Sequence, residues 1–257
     1  MKNFLPVIGI LLLILPVTTA AQNADEDPRA REIFEEVDQR RERIDYETAD
    51  MQMIIYDARG RTRNRQIQSF SYNRNKTSRS LLVFEEPANV RGTAFLTLSE
   101  GSDEVQKLYL PALQRIKIIS ASEQGDRFMG SDFTYEDLGD RQPEDYRFQM
   151  HAETDTSYVL RAEKRDQSQY AWLYFHVDPD RYVVEKIEYF NAQGDMIKRL
   201  EATGHEQVLE GVWQASAMVM HDLAENRKTE LRWSDRTIGT PIPEWRFTDR
   251  GLRRGIN

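Results

Sequence analysis

Along most of this chain, apolar and polar residues alternate one for one, the period of a strand with a core on one side and water on the other. Met51, Met53 and Ile55 alternate with Asp50, Gln52 and Ile54; Ala58-Arg59-Gly60-Arg61 turns the chain, and Thr62 to Asn73 returns. Arg91-Gly92 marks a turn before a strand from Thr93 to Leu98, and Gly101-Ser102-Asp103 opens a hairpin into Val105 to Leu110. Pro111 cuts that strand, because proline donates no ladder hydrogen bond, and Arg115 to Ile119 reads as the next. Beyond Tyr146 the alternation continues: Tyr146, Phe148 and Met150 share a face, as do Ala171, Leu173, Phe175 and Val177, then Ile187 and Tyr189, Met218 and Met220, Leu231 and Trp233. Turns at Asp178-Pro179-Asp180, Gln193-Gly194-Asp195 and Glu210-Gly211 divide these runs into neighbouring hairpins. The pattern predicts a long antiparallel meander with one apolar and one wet face.

Two segments depart from the two-residue period. From Arg29 to Ile44, the residues Ile33, Phe34, Val37, Arg41 and Ile44 recur at helical spacing, and Pro28 with the acids before it suits a helix start. The apolar stripe is narrow, so this helix should lie on another surface. From Ser131 to Leu138, a plausible N-cap at Ser131 or Asp132 precedes Phe133, Tyr135 and Leu138, with Glu136 and Asp137 between them. A short aromatic helix is predicted there, either a packing plug over the sheet or a lid over a cavity. Asp132, Glu136 and Asp137 are expected to cap and solvate it.

A sheet of this many strands must close, pack on a second sheet, or be covered by helices. The two helical segments are thin cover, and the mismatch favours a cavity between sheet and helices. Alternation assigns Met53, Ile55, Leu96, Leu108, Phe148, Phe175 and Met218 to its wall. Met51, Met53, Met150, Met218 and Met220 all fall on strand faces, where thioethers serve either as ordinary gap-fillers or as an adaptable surface for varied apolar cargo.

Three closely spaced segments are more specific: P-A-N-V-R-G-T-A-F-L from Pro87, L-Y-L-P-A-L-Q-R-I-K from Leu108, and F-M-G-S-D-F-T-Y-E-D-L from Phe128. In this order they resemble the LolA-like family of outer-membrane lipoprotein-sorting proteins. The resemblance implies a mainly β, α+β fold, an incomplete antiparallel β-barrel with helices covering its concave face. It further implies a periplasmic carrier whose apolar cavity accepts the acyl chains of lipoproteins or lipids, with a lipoprotein-releasing or other lipid-exporting inner-membrane transporter as a partner. An accessory subunit of a resistance-nodulation-division transporter is the alternative, and an enzyme acting on lipid a third.

The N-terminus fits export. Lys2 precedes the apolar run Phe4 to Val17, and small residues at Thr18-Thr19-Ala20-Ala21 offer a cleavage site, the layout of a signal peptide over residues 1–21. The run is shorter than the ~20 residues of a membrane span. Residues 22–257 then read as one domain, since neither a linker nor a repeat interrupts them. The chain has no cysteine, so neither a disulfide nor a lipid-bearing thiol is available. Lys and Arg number 35 against 43 Asp and Glu; loss of residues 1–21 removes Lys2 alone, leaving 34 and a net charge of −9. That balance disfavours nucleic acid and simple adsorption to anionic lipid.

Chemistry-bearing patterns are sparse. His151, His176, His205 and His221 lack the pairing of a metal site, and no nucleophile elbow, phosphate loop or dinucleotide fingerprint occurs, so neither catalysis nor a cofactor is expected. The one local excess of positive charge is Arg59, Arg61, Arg63 and Arg65, continued by Arg74, Lys76 and Arg79. Such a run is commonly a solvated hairpin. Its functional reading is a docking surface for an acidic partner or lipid head groups.

Overall fold

A computed structural model describes residues 26–255, so the expected signal peptide lies outside the described residues. Helix α1 spans Pro28–Glu42, and the Asp27 carboxylate accepts the Arg29 and Ala30 amides at 2.9 and 3.3 Å, satisfying two of the free donors of its first turn. Six strands follow: β1 (Tyr46–Tyr56), β2 (Thr62–Arg74), β3 (Thr77–Glu86), β4 (Ala94–Glu100), β5 (Asp103–Leu110) and β6 (Arg115–Ile118). After a long connection come β7 (Tyr146–Glu153), β8 (Tyr158–Lys164), β9 (Trp172–Val177), β10 (Val184–Phe190), β11 (Met196–Leu209), β12 (Val212–Asp222) and β13 (Arg227–Ile238), then the short helix α2 (Asp249–Arg254).

All thirteen strands form one antiparallel sheet in the order β6-β5-β4-β3-β2-β1-β13-β12-β11-β10-β9-β8-β7. Each half is a meander of neighbouring hairpins, and the halves join where β1 pairs with β13, Met53 lying opposite Leu231. The sheet does not close: β6 and β7 are its two edges, as an incomplete barrel requires. Since residues 119–145 link these edges, the chain must cross a sheet face, and it crosses the inner one.

That crossing, with α1, is the cover. The connection is not the short helix expected over Ser131 to Leu138. Arg127 and Thr134 instead form an isolated β-bridge, and within Ser131 to Leu138 a single 3-10 turn is made, by Glu136–Leu138. Ser131 begins no helix; its hydroxyl donates to the Phe128 carbonyl at 2.8 Å, tightening a bend around Gly130. The aromatics nevertheless point inward. Phe128, Phe133 and Tyr135 are buried in one cluster with Phe84, Phe95, Leu108, Met53 and Ile55, while Phe34 of α1 meets Phe148 and Phe175 at ring distances of 4.8 and 4.9 Å.

A second, smaller core lies on the outer face. Phe70, Leu81, Val83, Ala94 and Leu96 pack there beneath Ile242, Phe247 and Leu252 of the C-terminal segment. Leu96, expected on the cavity wall, therefore faces outward. The physical reason is that α2 and its approach cover this patch, so β4 is apolar on both faces and alternation does not reveal its phase.

Candidate functional site

The inner face is packed unevenly. Over β1–β5 the connection fills the space with aromatic rings, whereas between α1 and β9–β13 a cavity of about 410 Å³ remains. Phe34, Val37 and the adjacent Ile44 form its roof; Phe175, Ile187, Leu200, Ala202, Met218 and Trp233 supply most of its apolar floor. The floor follows from strand register. Ala202, Met218 and Leu231 lie in one cross-strand row that continues into Met53, and Trp233 lies opposite Met51 in the next. Alternation places Met218 with Met220 and Leu231 with Trp233, and the strand register sets Met218 and Leu231 side by side.

Of the residues expected to line a cavity, Phe175 and Met218 do so. Met53, Ile55, Leu108 and Phe148 share the inner face but are buried in the packed cluster, at 1%, 0%, 5% and 0% exposure. Phe133 and Tyr135 are buried plugs, and Leu138 is half-buried at the edge of a neighbouring pocket. Trp213, Trp233 and Val184 also line the cavity; Trp233 had been assigned to the right face, but nothing local marks it as cavity-facing.

Charged side chains ring the cavity mouth. Arg41 on α1 donates to Asp140 of the connection at 2.7 Å and to Asp38 at 2.6 Å. Burial would raise the Asp140 carboxyl, but Arg41 and Gln142 hold it below its ordinary value. Opposite, Arg236 meets Glu47 at 3.2 Å, and Arg181 pairs with Asp178 and Glu185, each at 2.6 Å. His205 lines the wall, and burial with the nearby Arg181 lowers its pKa, favouring the neutral imidazole.

The carboxylates expected as helix caps anchor the crossing, and Asp137 also caps its turn by accepting the Thr134 amide at 2.8 Å. Asp132, fully buried, receives Arg127 at 2.9 Å, Arg227 at 3.2 Å and the Thr229 hydroxyl at 2.6 Å, tying the connection to β13. Asp137 receives Lys198 of β11 at 3.2 Å and the Tyr170 hydroxyl at 2.8 Å, and its neighbour Asp140 donates its amide to Glu104 of β5 at 2.6 Å. Arg227, Thr229, Lys198, Tyr170 and Glu104 lie far from these residues in sequence, so only the fold brings them together. Among the described residues no group of three His, Asp or Glu side chains is placed to hold a metal ion.

The basic hairpin divides. Arg59 is exposed and Arg61 is 75% exposed while pairing with Asp57 at 2.7 Å. Arg63 reaches the Gly130 carbonyl, and Arg65, 8% exposed, turns inward with its guanidinium 5.6 Å from the Phe84 ring centre. Residues 63 and 65 share the inner-face phase of β2 with Ile67, which removes Arg65 from any solvent-facing patch.

A model of a family described only as uncharacterized protein matches residues 76–254. Among solved structures, a domain assigned as an outer membrane lipoprotein-sorting protein from Vibrio parahaemolyticus superposes with a TM-score of 0.84 at 32% identity, covering 88% of this chain and 99% of that one. A DUF1329 family protein from Desulfovibrio piger gives 0.82 at 23% identity, with 89% and 99% covered. A LolA superfamily protein from Nitrosomonas europaea gives 0.68 at 21% identity, with 86% and 97% covered; the last two are likenesses of fold. No protein of curated function matches the chain.

Proposed function

The chain belongs to the LolA-like family of outer-membrane lipoprotein-sorting proteins, and from that premise we propose that it is a periplasmic carrier that takes up the acyl chains of lipoproteins or lipids in the cavity beneath α1. The observation that carries this reading is the space between helix and sheet lined by the apolar side chains of Phe175, Ile187, Leu200 and Met218. An acyl chain entering it gains roughly 0.8 kcal/mol for each CH₂ removed from water. Carriage calls for no catalytic group, and the part-exposed Arg41 and Arg181 at the rim keep the loaded protein's surface polar. The reading includes export by the N-terminal segment and delivery to a partner met through the exposed Arg59 and Arg61.

Titration with a fluorescent fatty-acid analogue tests it. The wild type is expected to bind saturably, and Met218→Glu, which sets a charge on a half-buried cavity position, to lose binding while still folding. Arg59→Glu with Arg61→Glu, outside the cavity, should leave equilibrium binding intact. Absence of any lipid binding by the wild type would overturn the carrier reading in favour of an accessory subunit of an inner-membrane transporter.

A further inference from the structure

The apolar cavity abuts a second pocket of about 250 Å³, and the two share Arg41, Ile44, Glu47, Gly139, Asp140 and Gln214 as a common wall. The second pocket has a different chemistry. Where the inner phase of β2, β3 and β4 would ordinarily carry apolar residues, it carries Ser71 and Asn73, Ser78 and Ser80, and Thr97. Asn73 is 9% exposed and Thr97 2%.

Three oxygens in this wall are buried without a hydrogen-bond partner: Asn73 Oδ1, Thr97 Oγ1 and Gln214 Oε1. The orientation of Gln214 is fixed, because its Nε2 donates to Glu47 at 2.8 Å and so turns the carbonyl oxygen the other way. Buried polar atoms are nearly always paired in folded proteins, and unpaired ones on residues that line one pocket call for a partner that a ligand or water can supply. Arg41 is held by Asp38 and Asp140 and Glu47 by Arg236, whereas Arg79 lies over the Tyr72 ring at 5.3 Å and keeps its charge. Unpaired acceptors repel a carboxylate or phosphate and welcome hydroxyl donors, while the serine hydroxyls return hydrogen bonds to a ligand's oxygens.

We infer that this pocket receives the uncharged, hydroxyl-bearing head of an amphipathic ligand, of the glyceride class, whose acyl chain lies in the adjoining apolar cavity. The inference rests on the acyl-binding reading and adds to it a choice among head groups. Each matched hydrogen bond is worth about two- to tenfold in affinity.

The test displaces a bound fluorescent acyl analogue from the wild type with three compounds of one chain length: monolauroylglycerol, methyl laurate and ionised laurate. Monolauroylglycerol is expected to compete about tenfold or more tightly than methyl laurate, and laurate no better than the ester. Thr97→Val and Asn73→Leu should erase the glyceride's advantage and leave the ester's affinity unchanged. If glyceride and ester compete equally in the wild type, the head-group inference is overturned while acyl binding stands. If laurate competes best, the pocket selects anions and the inference likewise fails. If the wild type binds no acyl analogue at all, the carrier reading itself falls, and this inference with it.

Discussion

Asp140, in the connection that crosses the sheet, meets Arg41 of α1 at 2.7 Å with its own side chain only 3% exposed, so the two separate pieces of cover over the inner face are joined by one ion pair. Because Arg41 holds the Asp140 carboxyl below its ordinary 3.8, the folded state binds this proton less readily than the unfolded state. The stability so gained is present above pH 3.8 and is lost as pH falls through the folded value. Asp140→Asn is expected to cost about 2 kcal/mol near neutral pH, less than the ~3–5 kcal/mol of a fully buried pair because Arg41 is 41% exposed. Urea denaturation of both proteins at a series of pH values checks this: the difference should shrink toward zero in acid.

Glu104 gives the opposite slope. Burial, with the Asp140 carboxylate adding to it, pushes its pKa up to about 7 against the opposing hydrogen bond from the Asp140 amide. An acid raised from 4.5 to about 7 in the folded state favours folding least where it must ionise, so its penalty is absent below 4.5 and complete above about 7. Glu104→Gln keeps an acceptor for the Asp140 amide and removes the titration. Its melting temperature relative to the wild type should rise from pH 4.5 to 7 and level off beyond; a constant difference across that range would contradict this assignment.

The sequence revealed some of these features and not others, and Asp132 and Asp137, expected as solvated caps, mark the boundary. Strands were readable because one-for-one alternation such as Met51-Gln52-Met53 leaves a strand only one way to face its core, and α1 because Asp27-Pro28 and the Ile33, Phe34, Val37 spacing coincide. The inner face of β4 was not, since Phe95 and Leu96 are buried on opposite sides and an apolar run carries no phase. Asp132 and Asp137 looked like solvated caps because acids beside aromatics at short spacing commonly are. What buries them, Arg227 and Thr229 on β13 and Lys198 on β11, becomes adjacent only through the crossing. The cavity was legible as a shortage of cover, but its position depended on which half the connection would fill.

The aromatic plugs should be costly to truncate. Phe133 and Tyr135 are 3% and 8% exposed, and Tyr135 lies 5.6 Å from Phe95 and 5.8 Å from Phe128 between ring centres. Phe133→Ala should lose about 3–5 kcal/mol and Tyr135→Ala somewhat less, as buried aromatic truncations do. Denaturant midpoints within error of the parent would show that the connection does not contribute to the core.

Lys198 offers a sharper test of the crossing. Its ammonium is buried against Asp137 and the Tyr170 hydroxyl, at 3.2 and 3.1 Å. Lys198→Met alone leaves the Asp137 carboxylate without its cation and should cost about 3–5 kcal/mol, whereas Lys198→Met combined with Asp137→Leu should recover part of that loss. The double-mutant cycle, read by chemical denaturation, is expected to show a coupling of more than about 1 kcal/mol. Additive losses would mean that the pair does not act as a unit.

The pairing of β1 with β13 has a consequence for how the molecule comes into being. β1 is among the first elements to be synthesised, yet one of its edges has no neighbour until residues 227–238 exist, and until then it presents an open ladder of amides and carbonyls beside Met51 and Met53. Such an edge invites pairing with another copy of the chain. Local hairpins can form early on either side, but the sheet becomes continuous only when the last strand docks on the first, so closure is a long-range and therefore slow event. A nascent chain held back from that moment, or one cut short before Arg227, is the form of this protein most exposed to self-association.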